Sequence, residues 1–248
     1  MAFDRHVVLL HAFPLNSTMW RPQVAAVPAN WRVITPDLPG FGSSSESPVA
    51  TMTGLAEYVL RVLDSMSIER AVIGGLSMGG YVTLALYRLA PERFEAMILA
   101  DTRATADNDT QKDGRRKMIA TVRAKGAAGV ADEMLPKLLG ATSHRERPEL
   151  SGTVRGMIES TTPDAIAAAA EAMMYRPDSM PLLASIKIPA LIICGEEDVL
   201  TPPTDARALN QQIHNSRLEL LPRAGHLSNL ETPDPFSGAL RDFLSTLR

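Results

Sequence analysis

The segment that most constrains the fold is Gly75-Leu76-Ser77-Met78-Gly79, set between the apolar run Ala71-Val72-Ile73-Gly74 and the longer apolar stretch Tyr81 to Ala90. The first run is short and apolar throughout, as in a buried strand, and the second is long enough for a buried helix. A strand that turns this tightly into a helix holds the serine at its apex in a strained backbone conformation. The residues two before and two after it pack so closely together that both must be glycine. The N-terminus of the following helix points at Ser77, where free N–H groups and the helix dipole favour negative charge on a reacting oxygen. The pattern predicts a nucleophile elbow on a parallel, helix-covered sheet.

A serine needs a base and an acid that orients it. The run Ala190-Leu191-Ile192-Ile193-Cys194 reads as a buried strand and ends in Gly195-Glu196-Glu197-Asp198. This places Asp198 in a loop just beyond a strand's carboxyl end, where open α/β sheets gather their site residues. A further strand, Leu218 to Leu221, leads into Pro222-Arg223-Ala224-Gly225-His226. In the predicted arrangement His226 takes the proton of Ser77 and returns one to the leaving group. Asp198 fixes the imidazole tautomer and stabilises the imidazolium. The oxyanion hole requires two backbone N–H groups, each contributing roughly 3 to 4 kcal/mol. Met78, the residue after the nucleophile, supplies one. Phe13, in the loop His11-Ala12-Phe13-Pro14 after the strand Val7 to Leu10, supplies the other.

Taken together, His11-Ala12-Phe13-Pro14, Asp37-Leu38-Pro39-Gly40-Phe41-Gly42, the elbow, Gly195-Glu196-Glu197-Asp198 and Gly225-His226 follow the order and approximate spacing of the α/β-hydrolase superfamily. Over almost its whole length the chain resembles small bacterial carboxylesterases and 3-oxoadipate enol-lactonase-like hydrolases. The resemblance implies an α/β-hydrolase fold, a Ser77-Asp198-His226 triad and no cofactor; its motifs specify substrate only weakly. Some members carry the acid after an earlier strand, which makes Asp101, following Met97 to Ala100, the competitor of Asp198. Asp198 is favoured because the Gly-Glu-Glu-Asp loop matches the commoner position. Two departures stand out. Ala12 replaces a usual glycine, adding a methyl that narrows the site or shifts the Phe13 amide. The six residues before the first strand leave no room for the N-terminal hairpin common in the family. The expectation is therefore a mostly parallel, doubly wound sheet of about six strands, near 6–11, 32–36, 71–75, 95–100, 189–194 and 217–221.

Strand and helix alternate up to residue 100, give way to a stretch with helical periodicity only, and then alternate again, the pattern of a helical cap inserted into an α/β core. The core is assigned to 1–102 and 186–248, the cap to 103–185. Four cap helices are expected, carrying in turn Met118 to Val122, Val130 to Leu139, Leu150 to Ile158 and Ile166 to Met174. Pro136, Pro148, Pro163, Pro177 and Pro181 punctuate or start them. Their apolar stripes bury within the cap and over the mouth of the site. Met118, Met134, Met173 and Met174 are the candidate substrate contacts, because methionine adapts to a variable acyl chain.

A chain of 248 residues, 45% hydrophobic and 21% charged with net charge −3, holds one large core and offers no electrostatic footprint for nucleic acid. The densest basic stretch, Arg115-Arg116-Lys117, reads as a solvated helix face. No apolar run approaches the ~20 residues of a membrane span, and no signal peptide is recognisable. A single cysteine, Cys194, lies in an apolar strand and reads as inert core. Asp37 is expected to bond the backbone of its own turn, and His11 to shape the oxyanion loop. Metal-binding, Walker and dinucleotide motifs are absent, so no metal or cofactor is expected. The partner expected is a small-molecule ester or lactone, with neither nucleic acid nor membrane, and the setting cytoplasmic.

The function expected is a cofactor-independent serine hydrolase that cleaves short- to medium-chain carboxylic esters through an acyl-enzyme on Ser77. One amide beside the bulky Phe13 and an enclosing cap favour acyl chains of about two to eight carbons. A lactonase, such as an enol-lactone hydrolase, would use the same residues with the leaving alcohol tethered. The alternative of another class is a ligand-sensing protein that keeps the triad but turns over slowly.

Overall fold

The computed structural model describes residues 5–247. Six strands form a single sheet: β1 (Arg5–Leu10), β2 (Trp31–Ile34), β3 (Ala71–Leu76), β4 (Phe94–Ala100), β5 (Ala190–Gly195) and β6 (Ser216–Leu221), in the order β2-β1-β3-β4-β5-β6 with every neighbouring pair parallel. All residues of β3 and β5 are buried, as expected of central strands covered on both faces. The expected hairpin-free N-terminus falls on residues 1–4, outside the described residues.

The helices between strands are α1 (Arg21–Ala26), α2 (Met52–Ser65) and α3 (Met78–Leu89). The strand order reverses at β1, since the chain passes from β1 to β2 on one side and returns to β3 on the other. Right-handed crossovers then put α1 on one face and α2 and α3 on the opposite face. The contacts agree: α3 packs on β1, β3 and β4 and against α2, while α1 packs on the C-terminal helix. The crevice beyond the carboxyl ends of β1 and β3 is thus the topological switch point, where such sheets bind ligands.

Between β4 and β5 every regular element is helical: α4 (Asp109–Leu138), α5 (Ala141–Glu146), α6 (Glu149–Glu159), α7 (Pro163–Met174) and α8 (Met180–Leu183). After β5 come α9 (Pro203–Gln212), α10 (Ser228–Glu231) and α11 (Pro233–Thr246). The first two helices expected in the insertion are the two arms of α4, which the non-helical backbone of Gly126 (φ 68°, ψ −170°) separates. The left-handed φ there suits glycine, and a Cβ on it would meet open space. Pro136, expected to punctuate, lies inside α4. Pro163 starts α7 in the first turn, where no N–H is required, and Thr162 caps it by accepting from Ala165 N. Helix α4 packs on α6 and α7. On these three helices Val122, Val130, Leu138, Val154, Ile158, Ile166 and Ala170 are buried.

Candidate active site

Ser77 follows β3 directly, with φ 57° and ψ −111°, a conformation that costs a non-glycine residue roughly 1–3 kcal/mol. Neighbouring groups hold it there: its N–H donates to Ala100 O at 2.9 Å and its carbonyl accepts from Thr102 Oγ1 at 2.9 Å. The flanking glycines are close-approach positions. A Cβ on Gly75 would lie 2.5 Å from the Gly79 carbonyl carbon, and one on Gly79 would lie 2.2 Å from Leu10 O. Gly79 therefore answers to the end of β1 as well as to Gly75, which fixes the elbow against the loop that carries Phe13.

His226, in the loop after β6, places Nε2 2.9 Å from Ser77 Oγ and Nδ1 2.8 Å from Asp198 Oδ2. All three residues are buried. The Asp198 carboxylate is fixed through both oxygens. Oδ1 accepts from Leu200 N and Thr201 N at 2.8 and 3.0 Å, and Oδ2 accepts from Thr201 Oγ1 at 2.6 Å as well as facing the imidazole. Burial pushes the Asp198 carboxyl up, but the imidazole and the Thr201 bonds outweigh it and leave the group below the ordinary carboxylate range. Thr201 is a site residue that sequence reasoning missed. Its signal was an aspartate with a threonine three residues on and a proline after it, a side-chain-to-backbone turn pattern.

Asp101 does not meet the imidazole. At φ 42° it turns its carboxylate to Gly195 N (2.8 Å) and Ser228 Oγ, tying the end of β4 to the end of β5 and to the start of α10. Burial, with the charge of Asp198 added, raises its pKa well above the usual carboxylate value. Asp101, Asp198 and Cys194 bring ligand atoms within 4.8 Å of one another. Each is already engaged: the Cys194 thiol faces the Gly195 and Thr201 carbonyls, and burial pushes its pKa up, as expected of inert core.

Around the oxyanion loop His11 is fully buried. Its Nε2 accepts from Leu38 N at 3.0 Å and its Nδ1 faces Ala12 O at 2.9 Å, so the ring is neutral with the proton on Nδ1. Burial lowers its pKa, in the same sense. The Ala12 methyl is buried in the core and does not narrow the cavity. Met78 is the first residue of α3, where an N–H has no intrahelical acceptor. Among the described residues the Phe13 amide donates to no protein group. Asp37 bonds its own turn and the neighbouring loop, accepting from Ser17 N and Ser43 N, both at 2.7 Å.

A cavity of about 420 Å³ opens over Ser77 and His226. Phe13, Met118, Met134 and Met173 line it. Met174 does not: neighbouring residues on a helix point about 100° apart, and Met173 takes the inward direction. The remainder of the wall is more polar than the apolar stripes implied. Arg103, Asp107, Arg115 and Lys117 line it, as do Glu133 and Lys137. Half-buried Arg115 therefore corrects the reading of that stretch as a solvated face; Arg116, paired with Asp113 at 2.6 Å, and Lys117 are exposed, although Lys117 also borders the cavity. The missed signal was a mixed stripe, Gln111, Gly114, Arg115 and Met118, at spacings of three and four along α4.

The insertion is stitched to the histidine loop. Buried Glu231 accepts from Gly140 N (2.7 Å), Ser143 Oγ (2.6 Å) and Leu227 N (3.1 Å), and Leu227 N also faces Leu138 O at 3.2 Å.

Comparison with known proteins gives a consistent picture. A family model described as the alpha/beta hydrolase fold matches residues 5–233. The chain is similar to a 3-oxoadipate enol-lactonase of Acinetobacter baylyi, with 31% identity over 98% of this chain and 89% of that protein. Among solved structures, a thermophilic esterase from Thermogutta terrifontis with malate bound superposes with a TM-score of 0.95 and 38% identity, covering 100% of this chain and 92% of that one. An enol-lactonase from Burkholderia xenovorans superposes with a TM-score of 0.89 and 32% identity, covering 97% and 91%.

Proposed function

The chain belongs to the α/β-hydrolase family and is a hydrolase of the esterase and lactonase kind, and on that premise we propose that Ser77, His226 and Asp198 are its catalytic triad. The observation that carries the proposal is the continuous run from Ser77 Oγ to His226 Nε2 at 2.9 Å and from Nδ1 to Asp198 Oδ2 at 2.8 Å, at the apex of a strained turn. In this mechanism His226 removes the Ser77 proton as Oγ attacks the ester carbonyl. The Phe13 and Met78 amides stabilise the resulting oxyanion, and the imidazolium protonates the departing alkoxide. Water then attacks the acyl-enzyme by the same route in reverse, His226 acting first as base and then returning the proton to Ser77. We assign residues 103–185 as a cap over this site, with Met118, Met134 and Met173 facing the substrate.

The substrate proposed is a carboxylic ester with a short to medium acyl chain, matching a finite cavity of about 420 Å³. A lactone is the second reading, favoured by the similarity to enol-lactonases at 31% and 32% identity. No described helix is long and apolar enough to cross a membrane; with one buried cysteine and mild net charge, we place the protein in the cytoplasm.

The test is pre-steady-state kinetics with p-nitrophenyl acetate. The expected result is a burst of p-nitrophenol, or a linear phase where deacylation is fast, with kcat in the usual range of about 1–10³ s⁻¹. Ser77→Ala lowers it by about 10⁶. One slow turnover followed by silence would indicate a sensor, and unchanged hydrolysis in Ser77→Ala would remove the serine from the mechanism.

A further inference from the structure

The rest of the cavity wall is charged, and its charges are not balanced. Arg103, Arg115, Lys117 and Lys137 line it against two carboxylates, Asp107 and Glu133, in a chain whose overall charge is −3. Arg103 faces Asp205 at 3.3 Å and donates to Leu200 O, so it is engaged. Arg115 is different. Its Nε donates to Asp107 Oδ2 at 3.1 Å, and among the described residues its two terminal nitrogens have no partner.

The Asp107 carboxylate that holds Arg115 is itself fixed. Its side chain is 2% exposed, and Oδ1 accepts from Arg176 Nη1 at 2.7 Å. Arg176 is anchored in turn by the Met173 and Thr105 carbonyls at 2.8 Å, and its guanidinium lies 4.1 Å from the centre of the Tyr81 ring, another part of the cavity wall. Asp107 thus spends its charge on two guanidinium groups and leaves a net positive charge on the wall. The arrangement pre-orients Arg115, with planar N–H donors remaining for a ligand in a site only partly open to water. Such a fork matches a carboxylate better than any neutral group. Lys117 and Lys137, exposed at the cavity mouth and without ion-pair partners among the described residues, add attraction for an anion on approach.

We propose that the substrate is an ester or lactone bearing a free carboxylate at the end distant from the scissile bond, and that Arg115 is the residue that selects it. The proposal rests on the hydrolase reading above and names the substrate class within it. Arg115 positions the acid end, while the bond cleaved and the groups that cleave it remain those already described.

The experiment compares monomethyl succinate, glutarate and adipate with neutral isosteres in which a methyl ketone replaces the carboxylate. The expected result is a kcat/KM about ten-fold or more in favour of the anion for at least one chain length. That preference narrows as salt is raised and collapses in Arg115→Met, with Arg115→Lys retaining part of it. If Arg115→Met fails to fold, the double variant Lys117→Gln/Lys137→Gln, altering two exposed side chains, is expected to lower the preference about two- to three-fold. Calorimetric binding of the same half-esters to Ser77→Ala protein needs no turnover and separates the two readings. Binding that depends on Arg115 without turnover in the wild type would overturn only the hydrolase mechanism. Active hydrolysis of neutral esters with no preference for any anion, or a preference unchanged in Arg115→Met, would overturn the proposal.

Discussion

Two walls of one cavity are built on different principles. On the sheet side Ser77, Asp198 and His226 sit in loops that directly follow β3, β5 and β6, and their polar atoms are fixed by bonds with long sequence separation. On the insertion side Arg115, Lys117, Met118, Met134 and Lys137 project from the two arms of α4, half-buried or exposed, several with donors free among the described residues. The first wall is held by backbone: a φ of 57° at Ser77, a glycine pressed on the end of β1, an aspartate taking two backbone N–H groups. The second is a surface on which side chains change without disturbing the sheet. The contrast teaches that, with the triad and the charged wall in the roles proposed above, reaction chemistry and substrate choice are separable, because they rest on elements with different tolerance to substitution.

The first way to break this division is at the acid. Asp198→Asn is expected to lower kcat by about 10⁴, by analogy with serine proteases, because the imidazole loses its orienting partner. Asp101→Asn, whose carboxylate bonds Gly195 N and Ser228 Oγ and not the imidazole, is expected to cost about ten-fold at most. Steady-state kinetics of the two variants decide it, and the reverse ranking would move the acid to Asp101.

A second contrast compares two glycines. Gly79→Ala drives a methyl to 2.2 Å from Leu10 O. The expected loss is about 3 kcal/mol, a fall in Tm of about 6–12 °C for a chain of this size. Gly152→Ala, inside α6 with nothing within 4 Å of the new methyl, is expected to gain up to about 1 kcal/mol, about 2–4 °C. Equal effects in thermal unfolding would erase the proposed difference in tolerance.

Smaller still is the contribution of Asp37, which ties together two loops beside the oxyanion loop. Burial pushes its carboxyl up, but the Ser43 and Ser17 bonds outweigh this and hold it below the ordinary value. A depressed folded pKa means that the stabilisation is complete above the unfolded value near 3.9 and is lost as pH falls through the folded one. Asp37→Ala is expected to cost about 1–2 kcal/mol at pH 7, with the gap in Tm to the wild type closing below about pH 4. A gap that persists unchanged at pH 3 would contradict this assignment.

The same division explains what could be read from the sequence. The six strands and the residues at their carboxyl ends were legible because an apolar run ending in a polar or glycine-rich loop is a local signal, and the position of Ser77, Asp198 and His226 follows from it. In the insertion, periodicity located the helices but not their facing. Met173 and Met174 are adjacent and equally apolar, and only packing against the core selects Met173 for the cavity. Arg115 read as solvated because charge on a helix normally is; Asp107, which holds it, lies close in sequence just before α4, but Asp107 is buried and fixed by Arg176, which follows α7 and lies far outside any local window. The break between the first two insertion helices was legible in the gap between their apolar stripes, and Gly126 supplies the non-helical backbone there. Glu231, which joins the insertion to the histidine loop, bonds residues some 90 positions away and had no local signature.

The central claim, that Ser77 carries the acyl group and that His226 activates it, is tested most directly by a serine-directed fluorophosphonate followed by peptide mass spectrometry. The account predicts one adduct per chain, on the peptide containing Ser77, absent from Ser77→Ala and strongly slowed in His226→Ala. An adduct on any other residue, or labelling that proceeds undiminished in His226→Ala, would contradict it.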